Sequence, residues 1–485
     1  MNPIVLLLLL YVVALIVLPL VKSRHYAALA NACFCSFTFC LSLYGAYVVY
    51  ADAATVFFFH DWFMFDRLSA VFITLNSFIG MTTSFYSIAY FSNENKAGLH
   101  PLVYRFYYSA CQLFLFGMSV VLLSNNIGMM WIAIELATIF SIALLGLRRT
   151  AASLEAAWKY LILCGVGIGF ALLGTVILYF GAYTHGLGEE GLLWTKLIAH
   201  IDQIPIKLLS ISFVFLFVGY GTKVGLVPLH NWLPDAYAEG YPMVNALSSG
   251  ALLNVALFAL LKFKLLFSPT ELHDFPSYLF LTFGFISLFF ASLSMFRQRK
   301  LNRLLAYSSI EHMGLISIAI GIGSKLALIV ALLHIWIHAL TKAMLFFSSG
   351  ILVQQFSTQT LTKIRALFSR SPVFAGLFLF GLCALLGLPP SGLFVSELLL
   401  ILAVAHSNIL LMLLLIIGLM LAFFAIILKV QPLFFGQSSE LEGGRIKGQR
   451  LEYGVIILHL GIVMIVGLYV PLFLFEPIAV YLGGL

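Results

Sequence analysis

The chain has 485 residues, 62% of them hydrophobic and only 9% charged, with a mean hydropathy of +1.07. Soluble domains carry about 25% charged residues, so this composition excludes a soluble enzyme and leaves almost no room for a soluble domain. The formal net charge of +7 reads as membrane orientation rather than nucleic-acid binding, because Lys and Arg accumulate in cytoplasmic loops.

A spanning helix needs about 20 apolar residues. About fourteen segments qualify, at 3–22, 26–50, 65–91, 105–124, 127–147, 153–183, 206–228, 242–268, 276–296, 301–321, 326–353, 372–405, 407–431 and 452–476. The first has no basic residue before it and no small-x-small cleavage site after it, so it reads as a retained helix, not a signal peptide. Loop charges then alternate. Lys22, Arg24, Arg148, Arg149, Arg297, Arg299, Lys300, Arg303, Lys363, Arg365 and Arg370 fall on one side; Asp52, Asp61, Glu189, Glu190, Asp202, Glu271 and Asp274 fall on the other. The positive-inside rule places the first group in the cytoplasm and both termini outside, as expected for a prokaryotic inner-membrane protein. One loop is off-pattern. His230 to Tyr241 should be cytoplasmic, yet it holds Asp235 and Glu239 and no Lys or Arg.

The six cysteines, Cys33, Cys35, Cys40, Cys111, Cys164 and Cys383, show no paired CxxC spacing, and there is no P-loop, GxGxxG or CxxCH. No metal, redox cofactor or nucleotide site is expected.

Two segments carry helix breakers. The seventh has Gly219, Gly221, Gly225 and Pro228; the twelfth has Gly387, Pro389, Pro390 and Gly392. They lie five segments apart. A five-helix unit over 102–270 and another over 271–432, flanked by 1–101 and 433–485, puts the breaks in matching positions. Five is odd, so the second unit is inverted. Paired broken helices in inverted repeats point to a transport site. The expected fold is an all-α membrane protein of about fourteen helices, with helices seven and twelve broken.

Ionisable residues deep in hydrocarbon are expensive and functional by default. Glu135 lies roughly 13 Å into the fifth segment, near the middle of a core about 30 Å thick. Lys223 is its natural counter-ion. The rival readings are a fixed ion pair locking two helices and a lysine snorkelling to the interface. His334, His338 and Lys342 are spaced i, i+4, i+8 on one face of the eleventh segment, a ladder suited to proton hopping. Zinc is the rival there, but no third ligand stands at a convincing spacing. Glu397 follows the second break and suits proton release, or else is an interfacial carboxylate. Weaker candidates are Lys159 with Glu155 as an i, i+4 pair, His230 and Asp235 at a channel mouth or simply in the loop, and Glu311 and His312, read as opening the tenth segment toward water.

The strings GTKVGLVPLHNWLPDA, RLLAYSSIEHMG, LHIWIHALTKAMLFFSSG and GLPPSGLFVSE resemble the antiporter-like subunits of respiratory complex I and of Mrp-type cation/proton antiporters. SLEAAWKYLILCGVGIGFALLGTVILY resembles the F-type membrane subunit of formate hydrogenlyase and energy-converting hydrogenases. The resemblance spans about 60–430. It implies fourteen core helices with two inverted repeats. It also implies that Glu135, Lys223, Lys342 and Glu397 take the family's titratable positions on helices five, seven, eleven and twelve. The implied function is proton translocation, less readily Na⁺, in a complex whose other subunits do any redox chemistry. Related subunits also serve inorganic-carbon uptake and antiport, which stay as alternatives. Two departures stand out. Asn254 sits where many relatives have Lys or His, and EGYPMVNALSS replaces a pattern close to APSPVSAL. The sequence as read ends after its fourteenth segment, so the lateral helix of the family's largest member is not expected.

Overall fold

A computed structural model describes residues 3–52, 55–94, 101–436, 446 and 448–483. The elements are α1 (Pro3–Leu20), α2 (Arg24–Asp52), a hairpin of β1 (Val56–Phe58) and β2 (Phe63–Phe65), α3 (Arg67–Glu94), α4 (Pro101–Leu123), α5 (Ile127–Gly146), α6 (Ala151–Ala182) and the short α7 (Trp194–His200). Then follow α8 (Ile206–Val224), α9 (Trp232–Glu239), α10 (Pro242–Leu247), α11 (Leu253–Leu266), α12 (Asp274–Met295), α13 (Leu301–Ile322) and α14 (Lys325–Phe356). The last are α15 (Leu367–Arg370), α16 (Pro372–Leu385), α17 (Gly392–Ser407), α18 (Ile409–Phe435), α19 (Arg450–Leu468) and α20 (Leu472–Gly483).

Among the described residues thirteen runs are long and apolar enough to cross a membrane, α10 and α11 counting as one through the π turn Ser248–Leu252. The shorter apolar α16 and α17 supply the fourteenth crossing. This is the helix count read from the sequence. The fourteenth segment ends earlier than expected: Tyr469 turns the chain extended after α19, and Pro471 lacks the N–H needed to continue a helix.

Burial sorts the helices. The whole apolar window of Pro242–Leu266 and 94% of that of α14 are buried, against 28% for α1, α18 and α19. The central helices can therefore carry polar groups away from lipid, while the outer ones present Leu, Ile and Phe to it.

Both predicted breaks are present. Helix α8 stops at Gly225 (φ 81°), and the cis peptide Val227–Pro228 follows. Helix α16 stops before Gly387 (φ 60°), and the cis peptide Pro389–Pro390 follows. In each break a left-handed glycine precedes the cis proline by three positions. A Cβ disfavours that backbone region, which explains glycine at both places. Helix α17 restarts under an N-cap from Ser391, whose Oγ accepts from Phe394 N.

Candidate functional site

Lys223 is the second-last residue of α8, two positions before the break, and is fully buried. Its Nζ donates to Tyr160 Oη of α6 at 3.5 Å and lies 4.7 Å from the centre of that ring. The ring is fixed from both sides. Trp232 stacks on it at 4.2 Å and 7°, and Tyr160 Oη shares a hydrogen bond with Ser141 Oγ at 2.8 Å. Trp232 also donates its indole N–H to the Thr222 carbonyl at 2.8 Å. The short α9 after the break therefore plugs the end of α8 and walls the lysine.

Glu135, on α5, is half-buried, and its Oε2 is buried without a hydrogen-bond partner. The expected direct contact with Lys223 is not made: among the described residues no carboxylate lies within 4.0 Å of Lys223 Nζ. The two charges still interact through space. Tyr160 has taken the near position because its hydroxyl and π face together satisfy an ammonium.

The second half is denser. His334 and His338 of α14 do not form the ladder alone; His312 of α13 intercalates. His312 Nδ1 is 2.9 Å from His334 Nε2, and its ring centre is 5.0 Å from that of His338. His334 Nδ1 bonds Ser396 Oγ of α17 at 3.0 Å. Neither ring nitrogen of His338 has a hydrogen-bond partner. One turn further along α14, Lys342 donates to the Leu305 carbonyl at 2.8 Å and to Ser308 Oγ.

Glu311 and His312 correct an expectation. They do not open the tenth segment toward water. They sit mid-helix in α13 at 3% and 1% exposure. Ten residues of helix from Leu301 are roughly 15 Å, which carries residue 311 to mid-membrane. The Glu311 carboxylate lies 3.5 Å from His312 Nε2. Glu311 and Glu397 both line a cavity of about 320 Å³ between the α16–α17 break and α18. The half-buried Glu397 packs its carboxylate onto the Cα of Gly387 in the break.

Between the halves, Ser249 Oγ in the π turn meets Ser309 Oγ of α13 at 3.0 Å. Asn254 donates to the Gly250 carbonyl at 2.9 Å, leaving its Oδ1 unpartnered. The His230 ring meets Phe290 edge-on, with ring centres 4.8 Å apart.

The off-pattern loop has a local explanation. Asp235 accepts from Arg303 and, at 3.2 Å, from Lys159, while Glu239 pairs with Lys300 at 3.1 Å. Lys159 also pairs with Glu155 at 2.7 Å, as the i, i+4 spacing suggested. The acidic loop is neutralised by basic residues from its own end of the bundle, so its orientation needs no Lys or Arg of its own.

A buried charged pair was missed. Lys262 of α11 and Asp66, just before α3, meet at 3.1 Å with both side chains buried. Trp194 of α7 covers the ammonium at 4.3 Å. Lys262 sits only four residues from the end of its helix, where a lysine ordinarily reaches the interface, so nothing in its sequence position singles it out. Tyr160, Ser308 and Ser396 were missed as well, since hydroxyls in apolar helices are common and carry no pattern.

Residues 124–424 match the transmembrane family described as NADH:quinone oxidoreductase/Mrp antiporter. The chain is 44% identical over 415 residues to a Hydrogenase-4 component F homolog of Methylacidiphilum infernorum (isolate V4), covering 85% of this chain and 86% of that one. Its fold matches a chain of the membrane-bound sulfane sulfur reductase, an archaeal respiratory membrane complex, with TM-score 0.89 and 21% identity over 100% of this chain and 97% of that one. It matches a chain of the Mrp complex of Dietzia sp. DQ12-45-1b with TM-score 0.84 and 17% identity over 100% and 98%.

Proposed function

The chain belongs to the NADH:quinone oxidoreductase/Mrp antiporter transmembrane family, and from that premise we propose that it is the proton-translocating membrane subunit of a multi-subunit energy-converting complex. The observation that carries the reading is a set of ionisable side chains lying between the two broken helices: buried Lys223 beside one break, buried Lys342, His334 and His312 in the centre with His338 next to them but outside their hydrogen bonds, and buried Glu311 with half-buried Glu397 beside the other. Sites whose charge can change cheaply are what proton transfer needs. Lys159, Asp235 and His230 shape the cytoplasmic mouth of the first half, and Ser249, Ser309 and Asn254 bridge the halves through water. The units 102–270 and 271–432 act as inverted repeats, with both termini outside a prokaryotic inner membrane.

Protons suit this set better than Na⁺. Hard cations prefer oxygen ligands, whereas nitrogen groups dominate the centre. Similarity to a Hydrogenase-4 component favours a redox complex over carbon uptake or antiport, with the electron-carrying groups on other subunits. The test is reconstitution of the purified complex in vesicles with an internal pH dye. Proton movement that tracks the driving reaction and is lost in Lys223→Ala supports the reading. Sodium-22 uptake tracking the reaction without proton movement overturns it. Affinity purification identifies the complex by its co-purifying subunits.

A further inference from the structure

A groove of about 690 Å³ lies between the ends of α1, α4 and α5, lined by none of the residues of the candidate site. Its wall is apolar along Pro19, Phe106 and Gly146, and its rim carries Arg105 and Arg149; among the described residues no carboxylate lines it. Phe106 is 46% exposed, so the groove opens on the lipid-facing flank. Arg105 is half-buried and poorly satisfied. Its Nε is buried without a hydrogen-bond partner, and one Nη reaches the Lys22 carbonyl only at 3.4 Å. Arg149 is exposed, held out by a left-handed backbone (φ 53°) at the end of α5.

We propose that this groove binds one anionic phospholipid, its phosphate between Arg105 and Arg149 and an acyl chain along Phe106, Gly146 and Pro19. The charge is complementary, since a planar guanidinium with free donors matches phosphate oxygens. The depth is right too: the arginines stand at helix ends, where headgroups lie, and Ser109 and Ala143 carry the lining about one helical turn deeper. Basic pockets between helices at the cytoplasmic face are where anionic headgroups are held. The inference rests on the membrane orientation proposed above and is independent of proton movement.

The test uses the full chain, purified and delipidated, with spin-labelled phosphatidylglycerol and phosphatidylcholine as probes. The wild type should immobilise phosphatidylglycerol preferentially, and Arg105→Gln and Arg149→Gln should each lower that preference about fivefold. A Cβ on Gly146 would meet nothing within 4 Å, so Gly146→Leu fills the groove without touching a charge. It should displace the lipid even if an arginine variant fails to fold. Millimolar inorganic phosphate should not compete, since it lacks the acyl contact. Equal immobilisation of the two lipids, an unchanged preference in Arg149→Gln, or displacement by free phosphate would overturn the proposal. So would a photo-crosslink from position 106 to another polypeptide of the complex in place of lipid.

Discussion

His312 Nδ1 and His334 Nε2 lie 2.9 Å apart, and the bonds around them fix which nitrogen carries each proton. Ser396 Oγ donates to the Leu393 carbonyl at 2.9 Å, so it accepts from His334 Nδ1. Neutral His334 then has a bare Nε2, and the His312 proton must sit on Nδ1. His312 Nε2 is left bare, 3.5 Å from the Glu311 carboxyl. Under the proposed function this hydrogen-bonded row is polarised: a proton arriving from Glu311 at His312 Nε2 would release one from Nδ1 toward His334. The cavity shared by Glu311 and Glu397 is where such a proton would enter or leave.

His312→Phe should therefore cut proton flux about a hundredfold, the scale of one acid–base group. His338→Asn should leave flux near wild type, because neither His338 nitrogen is bonded in this relay. Vesicle flux at equal protein level checks both, and equal losses in the two variants would count against a directed relay through His312.

Lys223→Ala should leave the protein inserted and abolish flux, since the glycine and proline that break α8 remain. Lys223→Arg should fail nearly as badly, because a guanidinium stays protonated at any working pH. Moving one charge against 100 mV needs about 2.3 kcal/mol, within reach of a lysine that trades the distant Glu135 charge for the Tyr160 hydroxyl. Tyr160→Phe should give a partial loss. Wild-type flux in Lys223→Arg refutes Lys223 as a carrier.

The sequence made the helices and their breaks legible because hydropathy and Gly/Pro placement are local properties. Depth was legible for Glu135 but misjudged for Glu311, where the polar string YSSIEH imitates a helix start. Pairings were least legible. Tyr160 in place of Glu135 beside Lys223, and His334 between His312 and Ser396, depend on how α6, α13 and α17 rotate about their axes, and no single helix encodes that rotation. Under the proposed repeats α13 corresponds to α5, so Glu311 is the counterpart of Glu135; the internal duplication was the signal that could have found it.

Gly387→Ala should disable the second half. An alanine at φ 60° costs about 1–2 kcal/mol, and its Cβ would occupy the place of the Glu397 carboxylate. Gly376→Ala on α16, where a Cβ meets nothing within 4 Å, is the control and should stabilise by about 0.5–1 kcal/mol. Flux and thermal unfolding in detergent, measured on both, separate displacement of Glu397 from a general effect of added methyl groups.

The Asp66–Lys262 pair should be the most sensitive ion pair in the protein to single substitution. Both side chains are buried, at 7% and 2% exposure, so removing one partner strands a charge in a low dielectric, at a cost of about 3–5 kcal/mol. Asp66 also caps α3, its Oδ1 accepting from Ser69 N at 2.7 Å. Asn caps as well as Asp, so Asp66→Asn removes the charge and keeps the cap. Lys262→Met keeps the apolar stem under Trp194. Each single variant should unfold at markedly lower temperature, and the double variant should recover much of the loss, because replacing a whole buried pair with neutral groups of similar volume is close to neutral. The sign of the recovery decides the matter. A double variant no more stable than the worse single would mean that the two charges are held separately, by Trp194 and by the α3 cap, and that their 3.1 Å contact contributes nothing.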